Sequence, residues 1–240
     1  MKRLGILGGM GPMAGAYFYE RVIAGTAAGC DSEHIPVILW GDPRVPDRTA
    51  HLLHRCEDPL PALRAGADAL CAMGVSVLAI PCNTAHAYLD ALSRGLPCEV
   101  LDMPRLTVAA LASRGAGRIG ILSTSGTVQA DLYRIAARER GLDVIYPSLT
   151  AREELDAAIY RQKGGGSLPT EVYLRQADRL HALGADRVVL ACTEISAAVR
   201  GAHPEWVIDA LEVLAGAAIC ACRQGGKEEE EHAVLRAVAG

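Results

Sequence analysis

The sequence predicts an α/β protein built on parallel sheets, and three observations carry that prediction. Short β-rich runs alternate with longer helical patterns along the 240 residues, an order that places helices on the faces of a parallel sheet. The unit occurs twice: Leu4-Gly5-Ile6-Leu7-Gly8-Gly9-Met10-Gly11 is echoed by Ile119-Gly120-Ile121-Leu122-Ser123-Thr124-Ser125-Gly126. At similar distances downstream, each copy reaches an apolar run that ends in a cysteine, Cys82 in the first half and Cys192 in the second. In open parallel sheets ligands bind beyond the carboxyl ends of the strands, so these four turns should gather at one edge of each half. Two halves packed edge to edge then make a cleft with a cysteine on each wall.

Taken in order, the predicted strands are 3–7, 36–39, 76–80, 118–122, 143–146 and 187–191. Helix punctuation fits between them. Asp58 followed by Pro59 opens one helix, and Thr150 with Glu153 reads as a capping box ahead of Leu155, Ala158 and Ile159. Gly95, Gly141 and Gly184 close helical stretches. Near the C-terminus, Leu211, Leu214, Ala215, Ala218, Ile219 and Cys222 recur at helical spacing, which predicts a packed helix with its cysteine in the core. The run Lys227-Glu228-Glu229-Glu230-Glu231, after Gly225-Gly226, reads as a solvated tail or helix face.

Composition narrows the function classes. Half of the residues are hydrophobic, 22% are charged and the net charge is −4, so the basic surplus needed for nucleic acid or an anionic membrane is missing. The N-terminal apolar stretch breaks at Gly8-Gly9 before any cleavage pattern, and no run of about 18 apolar residues follows. Neither a signal peptide nor a membrane span is expected, and the eight cysteines read as reduced and cytoplasmic. There is no Cys-x-x-Cys, and Cys220-x-Cys222 lies in a helical stretch, so no zinc or other metal site is expected.

The reactive form of cysteine is the thiolate, which a helix N-terminus favours. Asn83-Thr84 and Thr193-Glu194 are helix-opening residues, so both Cys82 and Cys192 are expected at such ends. A facing pair can hold one thiolate and one thiol. It could take a proton from one face of a carbon and return another to the opposite face, which inverts the stereocentre; for an amino acid that is racemisation or epimerisation.

Four ordered motifs then carry a resemblance: Gly5-Ile6-Leu7-Gly8-Gly9-Met10-Gly11-Pro12, Val45-Pro46-Asp47-Arg48-Thr49, Pro81-Cys82-Asn83-Thr84-Ala85-His86 and Ala191-Cys192-Thr193-Glu194. The chain resembles the aspartate/glutamate racemase family, the cofactor-independent amino-acid racemases, from its N-terminus to about residue 215. The resemblance implies two pseudo-symmetric Rossmann-like (flavodoxin-like) domains with parallel sheets and the active site in the interdomain cleft. The expected division is 1–102 plus 208–240 for the first domain and 103–207 for the second. It also implies a homodimer, no pyridoxal phosphate or other cofactor, and a two-base thiol mechanism acting on aspartate, with glutamate the alternative. Arg48 and Lys163 resemble the family's pair that grips the substrate carboxylates, and Lys163 stands before Gly164-Gly165-Gly166, a loop able to close over a ligand. Asn83, Thr84 and Thr193 are expected around the α-carboxylate, with Met10 and Gly11 on the floor of the site and Ala85 as a further substrate-binding residue.

Several roles have two readings on sequence alone. Asp47 orients a donor or binds the substrate ammonium, or else caps a helix, and Glu194 is either a proton relay beside Cys192 or a cap. His86 reads as a buried hydrogen-bonder, with tuning of Cys82 as the alternative. Glu194 stands where glutamate racemases of the wider superfamily typically carry histidine, which looks more like the aspartate branch. Gly15 and Trp40-Gly41-Asp42 depart from the usual family pattern on the N-domain side of the cleft. Two readings from other classes stay open. Gly9-x-Gly11-x-x-Ala14 with Asp42 satisfies a loose dinucleotide fingerprint, hence an NAD(P)-binding oxidoreductase, and the fold could also serve as a non-catalytic amino-acid-binding module.

Overall fold

The computed structural model describes residues 1–166 and 170–223, and within them eight strands form two four-stranded parallel sheets. The first sheet holds β1 (Leu4–Gly8), β2 (Val37–Gly41), β3 (Val77–Ala79) and β4 (Glu99–Val100) in the order β2-β1-β3-β4. The second holds β5 (Arg118–Leu122), β6 (Asp143–Ile145), β7 (Arg187–Leu190) and β8 (Val207–Asp209) in the order β6-β5-β7-β8. Between the strands run α1 (Pro12–Gly25), α2 (Arg48–His54), α3 (Leu60–Ala72), α4 (Leu89–Ser93), α5 (Met103–Ala112), α6 (Ser125–Gln129), α7 (Leu132–Arg138), α8 (Leu149–Lys163), α9 (Thr170–Ala182) and α10 (Thr193–Val199). The last described helix is α11 (Ala210–Arg223). The charge run Lys227 to Glu231 lies outside the described residues.

The repeat read from the sequence is a repeat of register. Gly5 pairs with Leu78 across β1 and β3, and Gly120 pairs with Val188 across β5 and β7. Cys82 and Cys192 stand the same number of residues beyond those pairs, so they occupy equivalent turns. Both glycines are there for close packing: a Cβ on Gly5 would come within 2.8 Å of Val75, and one on Gly120 within 3.0 Å of Leu180. In both sheets the strand order reverses between the first and third strands, the switch point at which a crevice opens beyond the strand ends.

The central strands are nearly continuous apolar runs because helices cover both faces, and β1 is buried throughout. One apolar core runs through both halves, from Leu4, Ile6 and Phe18 to Ile119, Ile121, Val189 and Ile208. Helix α11 joins it, packing on α1, α5 and β3 although it leaves the second sheet. It is apolar nearly all round, with Leu211, Val213, Leu214, Ala218 and Cys222 buried, as a helix enclosed by other elements must be. No helix among the described residues is long and apolar enough to cross a membrane.

Two edge strands escaped the sequence reading. β4 has two residues and β8 three, too short for a periodic signal, and both are ordered by pairing with the cysteine-bearing strands. The cap of α8 also moves. Ser148, not Thr150, accepts from the Ala151 amide, and Thr150 lies inside the helix, since a helix that starts at Leu149 leaves the residue before it to cap. Asp58 stands one residue before the N-cap Pro59 of α3 and accepts from the Leu60 amide at 2.9 Å, and Gly95, Gly141 and Gly184 end their helices with positive φ.

Asp209 opens α11 and ties it to α10. Its Oδ1 accepts from Ser196 Oγ at 2.7 Å and from the Leu211 amide at 2.8 Å, while its buried Oδ2 has no partner. Burial outweighs those two bonds and raises the carboxyl to about 6. The folded state therefore binds this proton more tightly than the unfolded chain, whose Asp titrates near about 3.9, and the advantage is lost as pH rises from about 4 to 6. Asp209→Asn keeps the accepting oxygen and removes the titration. Measured by urea unfolding, its stability relative to the native chain should improve by about 2 kcal/mol between pH 4 and pH 7. A pH-independent difference would mean that Asp209 titrates normally.

Candidate active site

Cys82 leaves β3 into a short 3₁₀ helix, Asn83–Tyr88, and Cys192 leaves β7 as the residue that precedes α10. Both are buried, at 6% and 5% exposure. The two turns abut, because Thr193 Oγ1, next to Cys192, donates to the carbonyl of Pro81, next to Cys82, at 2.9 Å. Five more bonds cross between the halves at this level. Gly11 N donates to Glu194 Oε1 at 2.7 Å, Tyr133 OH to Asn83 Oδ1 at 2.6 Å and Tyr160 OH to Asp47 Oδ1 at 2.8 Å. Thr84 Oγ1 lies 2.9 Å from the hydroxyls of both Thr124 and Thr127. Buried polar groups persist only when paired, so this set fixes how the two halves meet.

The two thiols have opposite electrostatic surroundings. Cys192 Sγ donates to Glu194 Oε2 at 3.3 Å, and burial, reinforced by that carboxylate, pushes the thiol well above its ordinary range. Cys192 therefore keeps its proton at neutral pH, which corrects the expectation that a helix start would favour its thiolate: seven residues of helix do not outweigh full burial beside an anion. Cys82 faces a cation instead. Arg48 lies beside it, and although burial works against the guanidinium charge, Cys82 and Asp47 more than restore it.

Arg48 is the first residue of α2 and only 6% exposed. Nη1 donates to the carbonyls of Val45 and Pro46 at 3.2 and 3.0 Å, and Nη2 to that of Met10 at 3.2 Å, so it frames the site as well as charging it. Lys163 ends α8 with its ammonium 5.1 Å from the centre of the Tyr160 ring, and its charge reaches both Asp47 and Cys192. Asp47 caps α2 through the Ala50 amide at 2.7 Å and also accepts from Tyr160. Burial opposes its ionisation, but those bonds together with Lys163 and Arg48 hold its carboxyl below the usual range.

Of the donors expected for a carboxylate, one is unspent. Asn83 Nδ2 is buried without a partner, whereas the Thr84 and Thr193 hydroxyls are engaged in the bonds that join the halves. Ala85 is fully buried in the 3₁₀ helix. His86 is the buried hydrogen-bonder: its Nε2 accepts from the Met103 amide at 3.2 Å, so Nδ1 carries the hydrogen and donates to the Cys82 carbonyl at 2.9 Å. Burial lowers its pKa and keeps it neutral. Sequence reasoning did not single out Tyr160, Tyr133, Thr127 or Gln162, whose Nε2 donates to the Glu194 carbonyl at 2.8 Å. Tyr160 was the one within reach, since it stands one helical turn before Lys163.

The glycine turn after β1 is filled by protein. A Cβ at Gly9 would lie 2.2 Å from the Asp42 carbonyl, and the Gly11 amide is taken by Glu194. Pro12 opens α1 without an N–H, and Asp42 is paired with Arg44 at 2.8 Å. A pyrophosphate and a ribose would find their usual partners occupied, which weighs against the dinucleotide reading.

Residues 7–218 match the family model described as Asp/Glu/hydantoin racemase. The chain belongs to this family. It is an isomerase of the racemase type. Over 221 residues the racemase is 27% identical to the broad specificity amino-acid racemase RacX of Bacillus subtilis (strain 168), a match covering 88% of this chain and 94% of that one. Its structure is similar to that of Picrophilus torridus aspartate racemase, with a TM-score of 0.81, 28% identity and coverage of 97% and 99% of the two chains. An aspartate racemase homologue from Pyrococcus horikoshii OT3 shares the fold at a TM-score of 0.72 and 23% identity, over 93% of this chain and all of that one.

Proposed function

We propose that this racemase interconverts L- and D-aspartate, with glutamate as the alternative acidic substrate, using Cys82 and Cys192 as its two proton carriers and no pyridoxal phosphate. The observation that carries the reading is the abutting pair of equivalent cysteine turns with opposite partners, Arg48 beside Cys82 and Glu194 beside Cys192. In one direction the Cys82 thiolate, paired with Arg48, takes the α-proton, and the Cys192 thiol delivers its proton to the opposite face. In the other direction the roles exchange: the Cys192 thiolate left by the first turnover takes the α-proton, and the Cys82 thiol delivers its own to the opposite face. The carbanion that forms between them is stabilised through its α-carboxylate by Asn83 Nδ2, the unspent buried donor. Lys163 supplies the cation for the second carboxylate of an acidic substrate. The names of the relatives, one an aspartate racemase and one an amino-acid racemase of broad specificity, favour amino acids as the class and aspartate as the first test.

The experiment is a panel of L- and D-amino acids incubated in heavy water without added pyridoxal phosphate and resolved by chiral chromatography with mass detection. Both enantiomers of aspartate should yield the same final mixture with deuterium at the α-carbon. Binding of aspartate without deuterium uptake would replace this reading by a non-catalytic binding module.

A further inference from the structure

Away from the active site, Cys71 and Cys98 face each other with their sulfurs 3.0 Å apart, about an ångström beyond the ~2.05 Å of an S–S bond. Cys71 lies in the last turn of α3 and Cys98 directly precedes β4. Arg64, two turns earlier on α3, ties that helix to the segment before Cys98 by donating to the carbonyls of Arg94 at 2.6 Å and Leu92 at 3.5 Å. Both thiols are reduced and half-buried, in contrast to the buried Cys82 and Cys192.

We propose that Cys71 and Cys98 form a thiol–disulfide exchange site for low-molecular-weight disulfides of the glutathione class. The Cys71 thiolate attacks one sulfur of the small disulfide, forming a mixed disulfide and expelling one small thiolate, which takes up a proton. Cys98 then loses its proton and attacks the Cys71 sulfur, expelling the second small thiolate. In sum, two protein thiols and one small disulfide become one internal disulfide and two small thiols. Burial and the neighbouring Cys71 sulfur hold the Cys98 proton on, which suits Cys98 to the resolving step rather than the first attack. The bond closes a loop that contains β3, Cys82 and α4, so it restrains the unfolded chain around the first cysteine turn and stabilises the fold.

The test is to incubate the reduced protein with oxidised glutathione, quench with acid, alkylate under denaturing conditions and map the peptides without reduction. A peptide linking Cys71 to Cys98 should form, with a higher melting temperature that dithiothreitol reverses. In Cys98→Ser, exchange should stop with one glutathione held on Cys71. The proposal is overturned if both thiols remain open to alkylation, if the native chain retains glutathione on Cys71, or if the new bonds involve Cys82 or Cys192 instead.

Discussion

Replacing either Cys82 or Cys192 with serine is expected to abolish racemisation and leave the fold in place. Inversion needs a proton carrier on each face of the α-carbon, and a serine hydroxyl neither ionises near neutral pH nor gives up its proton as readily as a thiol. Losing a single general acid or base costs about 10²- to 10⁴-fold, and here each carrier is the sole one on its face, so the upper end of that range is expected in both directions. Stability should hardly change. Both residues stand immediately before a helical turn, a position in which serine is a good cap, and the side chain shrinks only slightly. The hydroxyl of Cys192→Ser can still donate to Glu194, whereas Cys82→Ser removes the ionisable sulfur beside Arg48 and leaves Asp47 and Glu194 to balance its charge. Chiral chromatography reads the activity and urea unfolding the fold. Near-normal turnover by either variant, with the fold intact, would end the two-base reading.

How far the sequence foresaw this site depends on the range of each interaction. The paired cysteine turns were legible because they are local patterns, an apolar run followed by a polar opener, repeated in the same order in both halves. The register pairing of Gly5 with Leu78 and of Gly120 with Val188 turns that repeat into geometry. The bonds between the halves were not legible, since Thr84 with Thr124, Thr193 with Pro81 and Asn83 with Tyr133 join residues far apart in the chain. The charge state of Cys192 was misread for a related reason: a helix start is visible in sequence, but complete burial against Glu194 is not. β4 and β8 were missed because strands of two and three residues owe their form to neighbours rather than to their own pattern.

Arg48→Ala is expected to damage stability and racemisation together, rather than substrate choice alone. A surface cation reaching for a substrate carboxylate could be removed at little cost to the fold. Arg48 is buried, however, and its fork spans the carbonyls of Val45, Pro46 and Met10 before it meets Cys82. Truncation strands those acceptors in a dry site. Each buried polar group left unsatisfied costs about 1–3 kcal/mol, and since the three share one donor group a total loss of about 2–4 kcal/mol is expected. Arg48→Lys separates the two roles. It keeps the positive charge near Cys82 but cannot reproduce a planar fork with several fixed donors, so it should recover part of the activity while remaining less stable than the native chain. Urea unfolding and kcat/KM on aspartate and alanine distinguish the outcomes. If Arg48→Ala unfolds like the native protein and loses aspartate but not alanine, Arg48 serves only as a grip on the side-chain carboxylate. If both substrates fail and lysine restores both in part, the cation acts at the Cys82 sulfur, where any amino acid must lose its proton.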